Sequence, residues 1–377
     1  MNYEKEFLDN LHANGMSDVN IFDVDKADCT LFEKQLISVV TSKINELLAK
    51  MSSIRNISPL IHVFCIADNI VNAFCFVKNN NYYIGIHSGT YIELMVRTER
   101  LANYIVNNGL SGYSLENATE LQASLWIYAF KMILAHEYMH LILGHCDIRT
   151  ISESFLWERD SEFSFQKENS RANRDQQALE MFADEFASMD MALQIVDHSD
   201  GSISEIKKEL LKYYMAILLV FSIFEDDIPE EKRKHPRLGV RLHYITAAVD
   251  DAIYKGLNKP NAEATILLEE IDSVIDEFMS IIRRFSDLFT YDIVASLGGD
   301  YIEQEYIDLY NLASDLVKET NRYALFPIRE FEKVDSAILV DLSGEKNLLK
   351  ELAEKGRTYN EARRIIEAGN GWVDNTK

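Results

Sequence analysis

The residues best suited to chemistry form the motif His136-Glu137-Tyr138-Met139-His140, which has the HExxH pattern. On an α-helix, His136 and His140 lie one turn apart on the same face, so both imidazoles can reach one metal ion. Glu137 lies about 100° further round the helix, beside an open coordination position. The pattern predicts Zn2+ bound by the two histidines, with Glu137 as the general base that activates water for attack on a peptide carbonyl.

The residues around this motif support a metal site. The run MILAHEYMHLILGH is otherwise apolar, and burying imidazole and carboxylate groups there is costly unless they have a partner. A metzincin would continue the motif as HExxHxxGxxH. The Gly and His positions of that pattern hold Leu143 and Cys146, so this class is excluded and the third ligand must lie elsewhere in the chain.

A second acidic pattern, EMFADEFA, follows in a segment with helical periodicity. Glu180 and Asp184 lie one turn apart, so Glu180 can bind the metal while Asp184 accepts the ring N–H of a metal-bound histidine. Asp184 and Glu185 are alternative ligands. In a chain this acidic, the same side chains also fit a solvated helix face. A His2Glu site, however, requires a carboxylate, and Glu180 is the preferred one.

HExxH followed by ExxAD resembles the gluzincin type of zinc metallopeptidase. Asn72-Ala73-Phe74, followed by the segment YYIGIHSG, is similar to the NAF element and strand that precede the zinc helix in the HtpX and CAAX-prenyl-protease family. His235-Pro236 with Arg241 is similar to the HPxxxxR element of that family. The matching segments run from Asn72 to Arg241, a little under half of the chain.

This resemblance implies roles for three further residues. Asn72 would border the substrate cleft, and His235 and Arg241 would lie near the active site. His235 could then donate to the oxyanion that develops on the attacked carbonyl, and Arg241 could hold a carboxylate or the substrate backbone. The alternatives are a helix N-terminal position for His235 and an ordinary surface cation for Arg241. Tyr244 and His243 are other candidate oxyanion donors.

Soluble peptidases offer a further resemblance, because the best-known HtpX relatives are integral membrane proteins. The HEYxH form of the motif resembles the Lit-type phage-exclusion peptidases, which are cytoplasmic and act on a translation factor. ImmA-type peptidases, which cleave repressors, share HExxH and a downstream ExxA(N/D) helix. The resemblance implies a zinc metalloendopeptidase with a protein or peptide substrate, with phage defence or a stress response as hypotheses. The alternative is a latent or inactive metal-binding scaffold or sensor, although a purely structural zinc site needs no general base such as Glu137.

The amino-acid composition limits the classes of binding partner and the expected location of the protein. The chain of 377 residues has 38 Lys plus Arg against 61 Asp plus Glu, a net charge of -23, which opposes binding to nucleic acid or to an anionic membrane. Its most apolar run, from Tyr213 to Phe224, is shorter than the ~20 residues that span a bilayer. The N-terminal residues lack the pattern of a signal peptide. We expect a cytoplasmic protein, whose oligomeric state the sequence leaves open.

The four cysteines lie far apart and form no CxxC pair. This spacing indicates neither a disulfide framework nor a thiolate zinc site. We therefore expect reduced, mostly buried thiols.

The periodicity predicts an α+β fold that is predominantly α. Strand-like segments at 60–67, 73–78 and 82–87 form a small, partly antiparallel sheet beside the HExxH helix, which extends from about Leu115 to Leu143 and ends at Gly144. We predict a zincin-like metallopeptidase domain over 1–256, with its core at about 55–250, and a helical C-terminal region over 257–377. The polar segment 147–177 is predicted to be a lid, an insert or a connection.

Overall fold

The computed structural model describes most of the chain. The described residues are 2–27, 29–55, 60–108, 117–148, 155–156, 170–200, 202–224, 235–257, 261–284, 301–320, 347–348 and 350–355. They form many helices and one small sheet. The predicted class, α+β and predominantly α, is therefore confirmed.

The helices account for most of the described residues. Those of the N-terminal half are α1 Tyr3–Ala13, α2 Leu31–Arg55, α3 Ser88–Asn107, α4 Ala118–Ile142 and α5 His145–Ile148. Those that follow are α6 Ser170–His198, α7 Ile203–Phe224, α8 Leu238–Leu257, α9 Asn261–Arg284 and α10 Tyr301–Thr320. Within the described ranges, none of these helices combines the length and the apolar character that membrane crossing requires.

The sheet has four strands in the order β1-β3-β2-β4. They are β1 Ile61–Ile66, β2 Ala73–Lys78, β3 Asn81–His87 and β4 Phe155–Leu156. β1 pairs with β3 in parallel, whereas β2 pairs antiparallel with both β3 and β4. The small, partly antiparallel sheet that the sequence predicts is therefore present, with β4 as an additional strand.

The chain contains three consecutive asparagines, Asn79, Asn80 and Asn81. The hairpin between β2 and β3 explains the first two. Asn79 and Asn80 have φ angles of 49° and 60°, a left-handed conformation that asparagine adopts more readily than most residues. Two such residues in sequence suit the tight turns that match the twist of antiparallel strands. Asn81, which lies between the predicted strand segments 73–78 and 82–87, is the first residue of β3.

α4 is the central helix and carries the HExxH motif. Asn117 caps its start by accepting a hydrogen bond from the Glu120 amide at 2.9 Å. At the other end Gly144, with a φ of 76°, follows the helix as predicted, because glycine adopts this conformation without strain. All residues from Ala129 to Ile142 are buried, since α4 packs against α3, α6, α7 and β2. The sheet therefore lies next to the motif helix, as predicted.

The described C-terminal helices pack against the helices that precede them. α9 contacts α7 and α8, and α10 contacts α6 and α8. The predicted boundary between 256 and 257 falls within the last turn of α8, which ends at Leu257. The division into two domains stays a prediction, whereas the predominantly helical character of the C-terminal region is present in α9 and α10.

The segment predicted as a polar connection at 147–177 contains regular structure at both ends. α5 ends at Ile148, and α6 begins at Ser170, inside the segment predicted as a connection. Between them the structure describes only β4. The predicted lid or insert otherwise lies outside the described residues.

Candidate metal centre

Two helices bring the three predicted ligands together. His136 and His140 project from α4, and Glu180 projects from α6, which packs against it. The Nε2 atoms of the two histidines are 3.0 Å apart. The Glu180 Oε2 atom is 3.0 Å from Nε2 of His136 and 3.4 Å from Nε2 of His140. All three side chains are buried, so the cluster is a compact set of donor atoms away from bulk water.

The spacing of these donor atoms fits a small tetrahedral cation. With bonds of about 2.0–2.1 Å, ligand atoms around Zn2+ are separated by about 3.3 Å. The observed distances of 3.0, 3.0 and 3.4 Å are close to three edges of such a tetrahedron. Two imidazoles and one carboxylate are also a donor set that leaves the fourth position open. Among the described residues, this is the one cluster of His, Cys, Asp and Glu side chains with metal-binding spacing.

Asp184 orients the first histidine. Its Oδ1 atom is 2.9 Å from Nδ1 of His136, so a proton on Nδ1 leaves the Nε2 lone pair directed into the cluster. Arg241, from α8, donates to the same carboxylate through Nε at 2.7 Å and Nη2 at 2.9 Å. The guanidinium also lies 3.9 Å from the ring centre of Phe221. Asp184 therefore contacts both His136 and Arg241, and Arg241 is a buried partner of Asp184.

His145 has the equivalent position beside the second histidine. Its Nδ1 atom lies 2.9 Å from Nδ1 of His140, and both rings are buried. A proton donated from His140 Nδ1 to His145 leaves Nε2 of His140 for a metal. Because His145 follows Gly144 beyond the end of α4, its place in the sequence favours a supporting role over a ligand role.

Glu180 has two further neighbours. Nε2 of His235 lies 3.3 Å from Oε2 of Glu180, and the His235 side chain is 17% exposed. Gln176 donates from Nε2 to Oε1 of Glu180 at 3.3 Å. Gln176 was not predicted as a site residue, although its position four residues before Glu180 on the same helix is a detectable signal. His235 is adjacent to the cluster, as predicted.

Glu137 is buried, and neither of its carboxylate oxygens meets hydrogen-bond geometry with a described residue. Burial raises the pKa of Glu137 to about 8, although the charge of His136 and the adjacent Cys75 thiol act in the opposite direction. A buried carboxylate without a strong partner is costly in a folded protein. Such groups are typical of functional sites, where binding of a proton or a ligand offsets the cost of burying the carboxylate.

The other titratable groups of the site are buried, and the effect of burial on their pKa values is opposed by neighbouring charges and hydrogen bonds. Burial alone would raise the pKa of Glu180, but His140, His235 and His136 outweigh it and hold the pKa well below its ordinary value. Burial likewise opposes a charged His136, yet hydrogen bonds to Asp184 and Glu180 raise its pKa to about 9. The carboxylates therefore stabilise positive charge at the centre of the cluster. The same electrostatic environment favours binding of a metal cation.

The remaining candidates lie elsewhere or have other partners. Asn72 is buried at the start of β2, where its Oδ1 accepts from the Ala73 amide and its backbone is bonded to Thr90. These bonds fix the entry to β2, and none of the Asn72 hydrogen bonds in the described structure reaches the cluster. Tyr244 donates to the backbone oxygen of Tyr306 at 3.1 Å. This contact joins α8 to α10 and directs the Tyr244 hydroxyl toward α10.

The chain was also compared with known proteins. Comparisons with protein families, with curated proteins and with solved structures find no match. The case for a metal centre therefore depends on the residues themselves, their spacing and their burial.

Proposed function

We propose that this chain is a zinc-dependent metalloendopeptidase that cleaves a protein substrate. The observation that carries the proposal is the buried triangle formed by His136, His140 and Glu180, with Glu137 beside it. A closed structural site would need a fourth protein ligand, whereas this donor set resembles a catalytic site with one open position. The general-base position is occupied by Glu137, a buried carboxylate whose oxygens meet hydrogen-bond geometry with none of the described residues.

Each residue would contribute a defined step. His136, His140 and Glu180 would hold the zinc, which when bound acts as a Lewis acid on the peptide carbonyl and lowers the pKa of water toward ~7. Glu137 takes the proton of the attacking water and later returns it to the leaving amine. Its pKa of about 8 shows a strong affinity for protons in the buried site. A cation held by His136, His140 and Glu180 would lower the pKa of Glu137 toward the range in which a general base both accepts and donates a proton.

His235 and Arg241 would have different roles. His235 is partly exposed and next to Glu180, so it can reach a substrate carbonyl from the solvent side and donate to the developing oxyanion. Arg241 is buried on Asp184. We therefore assign it as a positioning residue that holds Asp184, and through it His136, in a fixed orientation.

A latent form of the same enzyme is a second candidate, because part of the outer edge of β2 is already paired. β4 pairs antiparallel with β2 at Phe74 and Cys75. An extended substrate that aligns by backbone pairing uses a free sheet edge, so a substrate bound at this edge would have to displace β4. The location in the cytoplasm and a role in phage defence or stress remain hypotheses from the resemblance described above.

The test compares the purified full-length protein with Glu137→Gln, using zinc content and cleavage of unfolded protein substrates as readouts. Glu120→Gln is a matched control, because Glu120 lies on the same helix in a partly exposed pair with Lys350. We expect all three proteins to bind zinc, and only Glu137→Gln to lose cleavage. Equal cleavage by Glu137→Gln and the wild type would reject the proposed base. Zinc binding with no cleavage by any protein would favour the latent or scaffold alternative.

A further inference from the structure

Two cysteine thiols are in contact beside the candidate metal centre. The Sγ atoms of Cys75 and Cys146 lie 3.5 Å apart. None of the four cysteines of the chain forms a disulfide in this structure, and the other two are Cys29 and Cys65. The contact joins residues that are 71 positions apart in the sequence, so it depends on the tertiary fold and is not a local feature of one element.

The two thiols differ in their access to solvent. Cys75 is buried in β2, next to the Glu137 carboxylate, whereas Cys146 is partly exposed in α5. α5 packs against β2 and begins at His145, which contacts His140. One thiol is therefore adjacent to the proposed general base, and the other is adjacent in sequence to a residue that supports a proposed zinc ligand.

We propose that Cys75 and Cys146 form a redox-sensitive pair that closes reversibly to a disulfide in the presence of a peroxide. A disulfide has an S–S distance of about 2.05 Å, so the sulfurs must approach each other by about 1.5 Å. Side-chain rotation and a small movement of the short helix α5 can supply this displacement. In reducing compartments, disulfides of this kind are transient and are typical of redox sensors.

The chemistry requires one peroxide molecule as the two-electron oxidant. The thiolate of Cys146, the more accessible thiol, attacks one peroxide oxygen, so an S–O bond forms and the O–O bond breaks. The released hydroxide takes a proton and leaves as water. The Cys75 sulfur then attacks the sulfenic sulfur, so the S–S bond forms and the S–O bond breaks. The second hydroxide takes the Cys75 proton, which gives one disulfide and two waters from two thiols and hydrogen peroxide.

The consequence for activity depends on the proposed peptidase function. Oxidation replaces the S–H group of Cys75, which lies beside Glu137, with an S–S bond, and closing this bond requires side-chain rotation or a shift of α5 relative to β2. His145 is the first residue of α5, so a shift of α5 that closes the bond would also change the contact of His145 with His140. The disulfide would therefore disturb the general base and a zinc ligand at the same time. We expect the oxidised protein to lose peptidase activity and to regain it when the bond is reduced.

The experiment treats the reduced full-length protein with hydrogen peroxide, blocks remaining thiols by alkylation and digests it without reductant. Trypsin is combined with a protease that cleaves before aspartate, because Asp68 separates Cys65 from Cys75. We expect a cross-linked peptide that joins Cys75 to Cys146 and is lighter by two hydrogen atoms than the two reduced peptides. The cross-link should disappear in dithiothreitol and in Cys146→Ser. It should persist in Cys29→Ser, a control for a second partly exposed thiol.

The outcomes separate this inference from the proposed function. Overoxidation of Cys146 while Cys75 remains alkylatable, or cross-links from Cys146 to Cys29 or Cys65, would overturn the pair. A Cys75–Cys146 bond that leaves peptidase activity unchanged would overturn its regulatory effect. If the bond forms but the reduced protein cleaves nothing, the pair stands as a redox site and the proposed peptidase function fails.

Discussion

At the scale of single residues, Glu180 and Glu185 provide a direct test of the ligand assignment. Both lie on α6, but only Glu180 has a carboxylate oxygen within 3.4 Å of both histidine Nε2 atoms. We expect Glu180→Gln to weaken zinc binding by more than about 100-fold, a larger loss than removal of an outer contact causes. Glu185→Gln should retain zinc. Competition with a chromophoric chelator measures both affinities, and equal losses in the two variants would reject the assignment.

Much of the candidate site could be predicted because its residues are spaced by helix turns. His136 and His140 are four residues apart, as are Glu180 and Asp184. This spacing places each pair on one face of its helix, independently of the rest of the fold. The pairing of Arg241 with Asp184 could not be predicted in this way, because it depends on how α8 packs against α6. The contact between Cys75 and Cys146 is non-local for the same reason.

At the scale of elements, the Arg241 to Asp184 pair links α8 to α6. Removing one partner of a buried ion pair leaves an uncompensated charge and costs about 3–5 kcal/mol. We expect Arg241→Met to lower the free energy of unfolding by about this amount at neutral pH. Arg97→Met, which breaks the partly exposed pair with Glu93, should cost less than ~1 kcal/mol. Denaturant unfolding measures both values, and similar small losses would show that the buried pair is not important for stability.

The same pair predicts a pH dependence. Burial opposes ionisation of Asp184, but Arg241 and His136 outweigh it, so the pKa of Asp184 is lowered in the folded protein. A lowered folded-state pKa contributes stability that is present above the unfolded value, about 3.9, and is lost as the pH falls through the folded value. The destabilisation by Arg241→Met should therefore shrink at acidic pH. Unfolding measured from pH 7 to below the unfolded value of about 3.9 would contradict this if the difference grew.

Two glycines test the packing of the elements around the site. A Cβ atom at Gly89, in the first turn of α3, would lie 2.4 Å from the backbone oxygens of Asn69 and Ile70. At Gly256, in α8, the nearest atom is a flexible Leu193 side-chain carbon at 3.1 Å. We expect Gly89→Ala to destabilise the protein by about 1–3 kcal/mol. Gly256→Ala should be close to neutral, because alanine favours the helix by up to ~1 kcal/mol. Thermal unfolding of the pair measures the difference, and equal stability would contradict the observed packing.

The sheet shows which elements the sequence could predict. The hairpin of β2 and β3 is local, and its asparagine turn identifies it. The parallel pairing of β1 with β3 and the addition of β4 to β2 are non-local. The composition of a strand does not specify which strand it pairs with. The order β1-β3-β2-β4 could therefore be obtained only from the structure.

At the scale of the whole molecule, zinc should stabilise the fold, because its proposed ligands join α4 to α6. A ligand that binds only the folded state adds about 2.7 kcal/mol when its free concentration is 100 times the dissociation constant. We expect zinc to raise the unfolding temperature of the metal-free protein, and a chelator to reverse the change. Glu180→Gln should show no increase at the same zinc concentration. An equal increase in this variant would indicate that zinc binds elsewhere on the acidic surface.

The most direct test of the proposed function is a search for new protein N-termini in bacterial cells that express either the wild type or Glu137→Gln. The two proteins should accumulate equally and carry equal zinc, because Glu137 is not one of the proposed ligands. We predict one or a few new N-termini that appear only with the wild type, which would also identify the substrate. The same set of N-termini with both proteins would contradict a peptidase that uses Glu137 as its general base.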